Sequence, residues 1–462
     1  MANESLKQRA DFATGSVRAH ILRLAVPMTV AQLVNILYSI VDRMYLGRMQ
    51  DTGMLALTGI GIVMPVISIL TSVASLCGTG GAPLCSIARG RGDNDEAERI
   101  MGTSFSLLLI LGVVMTTVVI ALKEPLLILF GASGETLPYA EDYLTIYTLG
   151  TIFVMIGLGL NPFVNSQGAA KRGMMTVTLG AAVNIVLDPL FIFVFHMGIK
   201  GAALATIIAQ FCSAMWVLAF LTGKKAIIRL RFNRMKLQAR RVLQIVGLGM
   251  SGFCMSMTTS LIQIVCNATL QSYGGDLYVG AMTVINAVRE VVFMAVNGLN
   301  NGATPVMSYN YGAQRYDRLK TAIRFSVIVT MSYALLVVIV TMAFPGALFR
   351  VFNNEPELIA VGVRAMRIYF VMFVFMSMQT SAQVVFLALG KSKRAIFFSL
   401  LRKAIIAAPL TVLLPLIGFG TDGVFFAEAI SQLVGGLVCG GAMYFTLYRK
   451  LPSEPTNAQI VV

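Results

Sequence analysis

Two stretches of the chain, GGAPLCSIARGRGDND (80–95) and GATPVMSYNYGAQRYD (302–317), lie 222 residues apart and share a pattern of glycine, proline, serine and aspartate. Each joins the end of an apolar run to a charged loop. Adding 222 to the first set of positions recovers the second: Gly80, Pro83, Ser86, Gly90 and Asp95 correspond to Gly302, Pro305, Ser308, Gly312 and Asp317. The pattern predicts an internal duplication.

The same offset recurs outside these two stretches. It links Ile146-Tyr147 with Ile368-Tyr369, Gly168 and Lys171-Arg172 with Gly390 and Lys393-Arg394, and Gly198, Gly201 and Gln210 with Gly420, Gly423 and Gln432. The matches fall mainly on glycine and loop charges rather than on the common apolar residues. Shared hydrophobicity alone does not explain them, so two homologous halves are expected.

The composition is typical of a membrane protein. Of 462 residues, 57% are hydrophobic and 12% are charged, and the mean hydropathy is +0.78; soluble chains are about half apolar and about a quarter charged. Runs of about 20 apolar residues are long enough to cross a bilayer. Twelve candidate spans are predicted, at about 21–47, 55–88, 100–122, 138–165, 174–196, 200–222, 243–272, 277–308, 319–346, 360–388, 396–418 and 423–448.

Charge alternates between the loops that join these spans. One set, which includes 88–99 and 224–241, carries most of the Lys and Arg, whereas the other is mostly acidic or neutral. Basic loops stay in the cytoplasm, so both termini are expected there. This topology accounts for the net charge of +15 and removes the main argument for nucleic-acid binding.

Six spans in each half make the two halves parallel repeats. The fold class predicted is an all-α integral membrane protein with twelve transmembrane helices, in two parallel six-helix lobes around a central cavity. Two such lobes suit alternating access. The predicted parts are an N-lobe at 1–222, a basic cytoplasmic linker at 223–242, a C-lobe at 243–448 and a cytoplasmic tail at 449–462.

Two classes of site are not expected. The six cysteines all lie in apolar stretches without a CxxC pair, and there are only two histidines, so no metal centre is predicted beyond a possible Na⁺ site. The glycine-containing loop at 89–99 lacks the GK[ST] of a phosphate-binding loop. This argues against an ATP-driven pump.

Acids inside the spans are the strongest functional signal, because a charge at bilayer depth costs about 2.5–3.5 kcal/mol. On the first span one helix face carries Gln32, Asn35, Ser39 and Asp42. Tyr38 precedes Asp42 by one turn. An alternative for Asp42 is simple pairing with Arg43 or Arg48.

The fifth span contains the second acid. Asn184 and Asp188 are four residues apart and share a face, and Pro189 frees a backbone carbonyl and allows a bend there. Neighbouring spans repeat the spacing in Asn161 with Asn165 and in Thr206 with Gln210. A buried carboxyl group can exchange a proton at working pH, or such oxygens can hold Na⁺; both uses stay open.

The second half lacks these acids. The positions equivalent to Asp42 and Asp188 are Ile264 and Leu410, so coupling is expected in the N-lobe. The second half has its own charged residues: Arg289, Glu290, Arg402, Lys403 and Glu428. Glu290 and Glu428 are either substrate contacts or partners for the cations, and Arg402 and Lys403 can snorkel towards the cytoplasm.

A polar and methionine-containing set is predicted to line the substrate cavity. Flexible thioethers suit promiscuous apolar binding surfaces, and the chain has 27 methionines. The candidates are Gln32, Asn35, Ser39, Met64, Asn165, Gln263, Met282, Arg289, Glu290 and Gln379.

Several motifs together resemble the MATE (multidrug and toxic compound extrusion) transporters, over about residues 15–448. They are AVPMTVAQLVN (25–35) with the following Tyr, Asp and Leu-Gly, the Asn and Asp of the fifth span, and GRGDNDEAER (90–99) with YGAQRYDRLK (311–320). The resemblance implies an antiporter that expels lipophilic, usually cationic compounds in exchange for H⁺ or Na⁺.

The resemblance also implies roles for individual residues. The family's coupling cluster carries over to Tyr38, Asp42, Asn161, Asn184, Asp188 and Thr206. Pro27 matches a proline associated with bending of the first helix, and Pro189 is a second gating candidate. Some members carry acids on the seventh and tenth spans, where this chain has Gln263, Asn267, Gln379 and Gln383. This argues against a Na⁺ site in the C-lobe.

The function expected is therefore a monomeric multidrug efflux antiporter of the bacterial inner membrane, without an organic cofactor. One alternative is a flippase for lipid-linked precursors, which would need a cationic central cavity. The other is a membrane-embedded enzyme, which would need a metal-binding aspartate motif such as DxxxD. Asp93 and Asp95 have the wrong spacing for it.

Overall fold

The computed structural model describes residues 12–49, 53–352 and 355–452. Every regular element within these ranges is a helix. In a bilayer each backbone polar group must be satisfied internally, and an α-helix does this within one segment. The all-α fold class predicted from the sequence is confirmed.

The number of spans follows from helix length. In the described ranges eight helices are long and apolar enough to cross a membrane, and two bent helix pairs raise the number to ten. Two of the eight are long enough to cross twice. Ala239–Gly312, with 74 residues, leaves helical geometry at Gly275, and the helical stretch Ser392–Lys450 breaks at Gly418 and Gly420. Counting each as two crossings gives the predicted twelve.

The first half contains six crossings. Its main elements are α1 (Val17–Gly47), α2 (Gly53–Gly90), α3 (Asn94–Ala121), α4 (Lys123–Leu129), α5 (Leu137–Leu149), α6 (Thr151–Ser166), α7 (Ala170–Pro189) with a π-helical turn at Leu190–Val194, and α8 (Gly198–Thr222). Helices α5 and α6 form one bent crossing, with 58° between their axes.

The second half follows the same order. Its elements are α9 (Ala239–Gly312, two crossings), α10 (Tyr316–Ala343), α11 (Pro345–Arg350), α12 (Pro356–Phe370), α13 (Phe373–Ala388), α14 (Ser392–Leu400) with a π-helical turn at Leu401–Ala407, α15 (Ala408–Leu414), a second π-helical turn at Pro415–Phe419, and α16 (Gly420–Thr446). Helices α12 and α13 form the bent crossing here, at 45°.

Backbone geometry repeats at the same offset as the sequence. Gly168 and Gly390 both adopt positive φ, at 79° and 73°, and Gly198 and Gly420 do so at 55° and 54°. Glycine adopts this region without the steric cost that other residues bear. The duplicated glycines therefore mark duplicated turns, at which α7 and α14 and then α8 and α16 begin.

The described chain forms two compact units. One comprises Phe12 and residues 23–249, and the other comprises residues 13–22 and 250–452. Each has a hydrophobic core, exemplified by Val63, Leu70 and Leu144 in the first unit and by Phe349, Phe370 and Phe425 in the second. The lobe boundaries drawn from the repeat stay a prediction, because units defined by packing need not coincide with them.

Close helix packing in the first unit depends on small residues. A Cβ at Gly78 of α2 would lie 2.7 Å from the carbonyl oxygen of Gly159 in α6. In a bilayer, helix association gains from such close backbone approach because lipid is as apolar as a leucine side chain. Large apolar side chains elsewhere, such as Val26, Leu33 and Leu37 on α1, are exposed, as expected of a lipid-facing surface.

The basic segment 223–242 packs against the start of α3. Arg241 donates two hydrogen bonds of 2.7 Å to Glu96, and Arg234 approaches Asp95 at 2.8 Å. Glu98 accepts the backbone N–H of Arg229 at 3.1 Å and lies 3.3 Å from the guanidinium of Arg231. The segment is thus fixed to the first unit by several charge-assisted contacts.

Candidate functional site

The first unit brings three helices together around two acids. Helix α1 supplies Tyr38 and Asp42, the end of α7 supplies Asn184 and Asp188, and α8 supplies Thr206. On α7 the four-residue spacing stacks the amide above the carboxyl group, as the sequence pattern predicts. The carboxyl groups of Asp42 and Asp188 interact directly.

The cluster is buried and bonded internally. Asp188 is 0% exposed, Asn184 is 1% and Asp42 is 9%. The Asn184 side-chain amide donates to Asp188 Oδ1 at 3.2 Å and to Thr206 Oγ1 at 3.4 Å. The Thr206 hydroxyl in turn donates to the Ala202 carbonyl at 3.0 Å. Asn184 therefore fixes one acid relative to α8.

Acceptor atoms outnumber donors at this site. Asp42 Oδ1, Asp188 Oδ2 and Asn184 Oδ1 are buried and have no hydrogen-bond partner among the described residues. Two adjacent carboxylates repel each other unless a proton or a cation lies between them. The arrangement is chemically suited to taking up a proton or a hard cation such as Na⁺, whose preferred ligands are oxygens.

Pairing of Asp42 with a neighbouring cation is not seen. Arg43 attracts Asp42 electrostatically, but within the described ranges neither it nor Arg48 comes within 4.0 Å of the Asp42 carboxylate. Both arginines are exposed. The Asp42 carboxyl group accordingly stays available to Asp188.

A polar cavity adjoins the acids. It has a volume of about 60 Å³ and is lined by Asn35, Tyr38, Asn161, Asn184 and Thr206, among other residues of α1 and α6–α8. Pockets for drug-sized ligands usually measure roughly 300–1,000 Å³. The cavity therefore accommodates a few waters or a hydrated ion rather than a large substrate.

Two tyrosines of α5 complete the cluster and were missed by sequence reasoning. Tyr143 lies beside the Thr206 hydroxyl and within electrostatic range of Asp42, and Tyr147 lies within electrostatic range of Tyr38. Their rings stack with centroids 6.2 Å apart. The four-residue spacing of two aromatic side chains on the bent fourth crossing is the signal that could have indicated them, although tyrosine is common at membrane interfaces.

Proline interrupts the helices next to the acids. Directly after Pro189, helix α7 continues as the π-helical turn Leu190–Val194, in which the hydrogen bonds shift by one residue. Pro27 lies inside α1, which continues through it. Both helices that bear an acid therefore contain a backbone position with a missing donor.

The remaining predicted site residues of the first unit lie in different environments. Asn161 donates to the Gly173 carbonyl at 3.3 Å and lines the cavity with Asn35. Ser39 donates to the Asn35 carbonyl at 2.9 Å. Met64 packs against the hydrophobic core. Gln32 and Asn165 are half-buried and do not line the cavity.

The predicted cavity residues of the second half do not all lie in one cavity. Gln263, Met282 and Arg289 line a second, smaller cavity within the second unit. Glu290 is exposed. Gln379 is buried between helices, where its amide donates to the Phe398 carbonyl at 3.3 Å. The assignment of these residues to a substrate site stays a prediction.

Arg402 does not snorkel. It is buried and lies 2.5 Å from Glu428, itself buried. Of the two alternatives for Glu428, pairing with a cation is the one observed. Snorkelling fails for Arg402 because an acid of α16 offers a partner at the same depth, which compensates the charge without a route to water.

Comparison with known proteins agrees with the duplicated architecture. The family model described as MatE matches residues 27–190 and 251–413, two segments that begin 224 residues apart. Similar curated proteins include the multidrug export protein MepA of Staphylococcus haemolyticus (strain JCSC1435), 23% identical over 95% of this chain and 94% of that protein. MepA of Staphylococcus aureus (strain MSSA476) is 23% identical over 91% and 92%.

Solved structures share the fold. A structure described as MATE in the bent conformation superposes with a TM-score of 0.90 at 22% identity, covering 96% of this chain and 98% of the other. An outward-facing multidrug resistance MATE family transporter of the MOP superfamily gives 0.88 at 21% identity, covering 95% and 98%. The twelve-helix, two-repeat fold is therefore shared over almost the whole chain.

Proposed function

Since this chain belongs to the MatE family of multidrug and toxic compound extrusion (MATE) transporters, we propose that it is a secondary active antiporter. It exports lipophilic, often cationic compounds from the cell in exchange for H⁺ or Na⁺, by alternating access. Relatives named as multidrug export proteins match over almost their full length. This supports transport over catalysis and export of small molecules over lipid flipping.

The observation that carries the proposal is the pair of buried carboxyl groups, Asp42 and Asp188. They interact directly, and each retains a buried oxygen without a partner in the described ranges. A site of this kind gains most from binding a proton or a cation. An acidic side chain inside a membrane costs about 2.5–3.5 kcal/mol when it is charged, so acids at this depth indicate a functional role.

In the proposed cycle the outward-facing state takes up the coupling ion at these acids. Neutralising the pair removes the repulsion between them and changes the hydrogen bonds through Asn184 and Thr206. Pro27 then permits α1 to bend and the substrate is released. Similar MATE proteins have been solved in a bent and in a straight conformation, which supports a bending step in the cycle. Return to the inward-facing state delivers the ion to the cytoplasm.

Asp188→Asn tests the role of the acid pair. In everted vesicles this variant should insert normally but lose ion-driven transport of a fluorescent lipophilic cation. Asp276→Asn is the matched control, since Asp276 is exposed and bonds to Gln271 at 3.0 Å. Transport by Asp188→Asn at the wild-type rate would contradict the proposal.

The identity of the coupling ion is tested with gradients. Proteoliposomes are given either a pH gradient at equal Na⁺ or a Na⁺ gradient at equal pH, and dye efflux is followed. Efflux driven by one gradient alone identifies the ion. Efflux unaffected by both would exclude antiport.

The proposed setting is the inner membrane of a bacterium, with a monomer as the functional unit and no nucleic-acid partner. Both termini are placed in the cytoplasm because the loops on that side carry most of the Lys and Arg. We also propose lobes at 1–222 and 243–448, joined by the linker 223–242 and followed by the tail 449–462.

A further inference from the structure

The second unit contains a partly buried cluster of charged side chains that the proposed cycle does not use. It consists of Arg289 on α9, Tyr369 on α12, Arg402 and Lys403 on the π-helical turn after α14, and Glu428 on α16. Together with Thr259 and Gln263, four of these residues (all but Arg402) line the cavity of about 20 Å³.

Within the described ranges, Arg402 is the one cation of the cluster that forms a salt bridge. Arg402 lies 2.5 Å from Glu428. Lys403 donates to the Thr259 hydroxyl, and Arg289 donates to the Tyr369 hydroxyl at 3.3 Å. In the described part of the chain, no acidic oxygen lies within 4.0 Å of Arg289 or Lys403. Both nevertheless lie within electrostatic range of Glu428.

Basic groups outnumber acidic groups around this cavity. Arg289 and Lys403 are half-buried, and within the described ranges neither forms a salt bridge. Glu290 attracts the neighbouring Arg289 electrostatically, but it is exposed and is not among the cavity-lining residues. Arg402 Nε also lacks a hydrogen-bond partner among the described residues although it is buried. A cation held partly out of water without a fixed counter-charge is unfavourable, and an anion in the cavity would supply that counter-charge.

The size of the cavity limits the anion. A volume of about 20 Å³ holds roughly one water-sized group, which needs about 10–15 Å³. One carboxylate oxygen or one halide ion fits, whereas a tetrahedral phosphate does not. Lys403 and Arg289 supply charged donors at the cavity wall, and Thr259 and Gln263 supply neutral polar groups.

The repeat shows that these charges replace small or neutral residues. Gly180, Ala181 and Thr206 of the first half line its larger cavity, and their counterparts 222 residues later are Arg402, Lys403 and Glu428. The second half therefore has charged side chains at positions where the first half has small or neutral ones.

We propose that the cavity of the second unit is a binding site for a singly charged anionic group, either the carboxylate of an exported molecule or a free halide. The carboxylate source rests on the proposed export function, whereas halide binding does not.

The test compares two matched dyes. Rhodamine 123 is the methyl ester of rhodamine 110, so the pair differs at one carboxyl group. Binding of each to the purified protein is measured by fluorescence polarisation, in gluconate and in chloride or bromide buffer. If the site binds carboxylates, we expect the wild type to bind rhodamine 110 about tenfold more tightly than rhodamine 123, as for one charge-assisted hydrogen bond. If it binds free halide, we expect chloride or bromide to change the affinity for the dyes.

Variants locate the effect. Lys403→Met and Arg289→Gln should abolish the acid preference and the halide effect, and Lys403→Arg should retain them. Lys393→Met is the control, since Lys393 is an exposed lysine of the same half. Asp188→Asn should leave the acid preference unchanged while it stops ion-driven transport, so a failure of the coupling proposal is distinguishable from a failure of this one.

The proposal is overturned if the wild type shows neither acid preference nor a halide effect, or if both persist in Lys403→Met. If Lys403→Met does not purify as a folded protein, the test rests on Arg289→Gln and on the wild type measured in the gluconate and halide buffers. An acid preference without a halide effect assigns the site to substrate carboxylates, and a halide effect without acid preference assigns it to free anions.

Discussion

The two halves of this transporter share a backbone plan and differ in the charge that they bury. The first half places Asp42 and Asp188 together, with buried oxygens left unpartnered among the described residues. The second half has Ile264 and Leu410 at those positions and instead buries Arg402 and Glu428, with Lys403 half-buried beside them. A duplicated scaffold thus carries a pair of acids in one copy and an acid paired with a basic side chain in the other.

The difference between Glu428 and Asp188 indicates which buried acids can bind a mobile ion. Glu428 has Arg402 at 2.5 Å, a partner that cannot dissociate because it belongs to the chain. Among the described residues, the partners of Asp188 are the amide of Asn184 and another acid, Asp42. A buried carboxylate with a fixed counter-charge is structural, whereas one without it must recruit a mobile ion.

Glu428→Gln should have the largest effect of these substitutions, on the stability of the second half. Removing one partner of a buried ion pair leaves an uncompensated charge and typically costs about 3–5 kcal/mol. We expect a large fall in thermal stability in detergent, measured by the loss of monodisperse protein after heating. Glu428→Gln combined with Arg402→Met should recover much of the loss; equal instability of the single and double variants would contradict a structural pair.

Ala181→Lys would give the first half the tethered cation of the second. An ion pair at about 4 Å is attracted by about 4 kcal/mol at an effective dielectric constant of 20. A lysine in the cavity that adjoins the acids, where Ala181 lies with Tyr38 and Asn184, should therefore compete with the mobile ion and reduce ion-driven dye transport about 100-fold. Ala181→Met fills the same space without charge, and similar losses in both variants would show that size alone matters.

Asn184→Ala should have a moderate effect confined to the first half. It removes the hydrogen bonds to Asp188 and Thr206, and a bond to a charged group is worth about 1.5–3 kcal/mol. We expect ion-driven transport to fall about tenfold or more. The counterpart Ile406→Ala, at the equivalent position of the second half, should leave the ion dependence unchanged, and a similar loss there would argue against the special role of Asn184.

Glu96→Gln should have the smallest effect and concerns the contact between the start of α3 and the linker. Glu96 holds Arg241 of the linker, whereas its counterpart Arg318 donates to the carbonyls of Thr14 and Gly15 at 2.9 Å, so polarity is again reversed. A partly exposed pair contributes about 1 kcal/mol or less. We expect a small, salt-dependent loss of stability, and no change for Arg99→Gln, whose exposed partner lies 3.9 Å away.

Much of the fold was predictable from particular residues. The repeat was predicted in part from Gly168 and Gly198 and their counterparts Gly390 and Gly420. Each pair has nearly the same φ in the structure. Asn184 and Asp188 were placed on one face by spacing alone, and they are hydrogen-bonded. The tyrosines at 143 and 147 were not anticipated, because nothing in their local sequence reveals that α5 faces the acids.

The sequence by itself determined the twelve crossings, the duplication and the half that contains the acids, because hydropathy, glycine positions and intramembrane charges are local properties. The tertiary structure decided which side chains meet: Asp42 with Asp188, Tyr143 with Thr206, and Arg402 with Glu428 rather than with water. These pairings depend on how each helix is rotated about its axis. Hydropathy does not fix that rotation, because lipid and protein interior are similarly apolar.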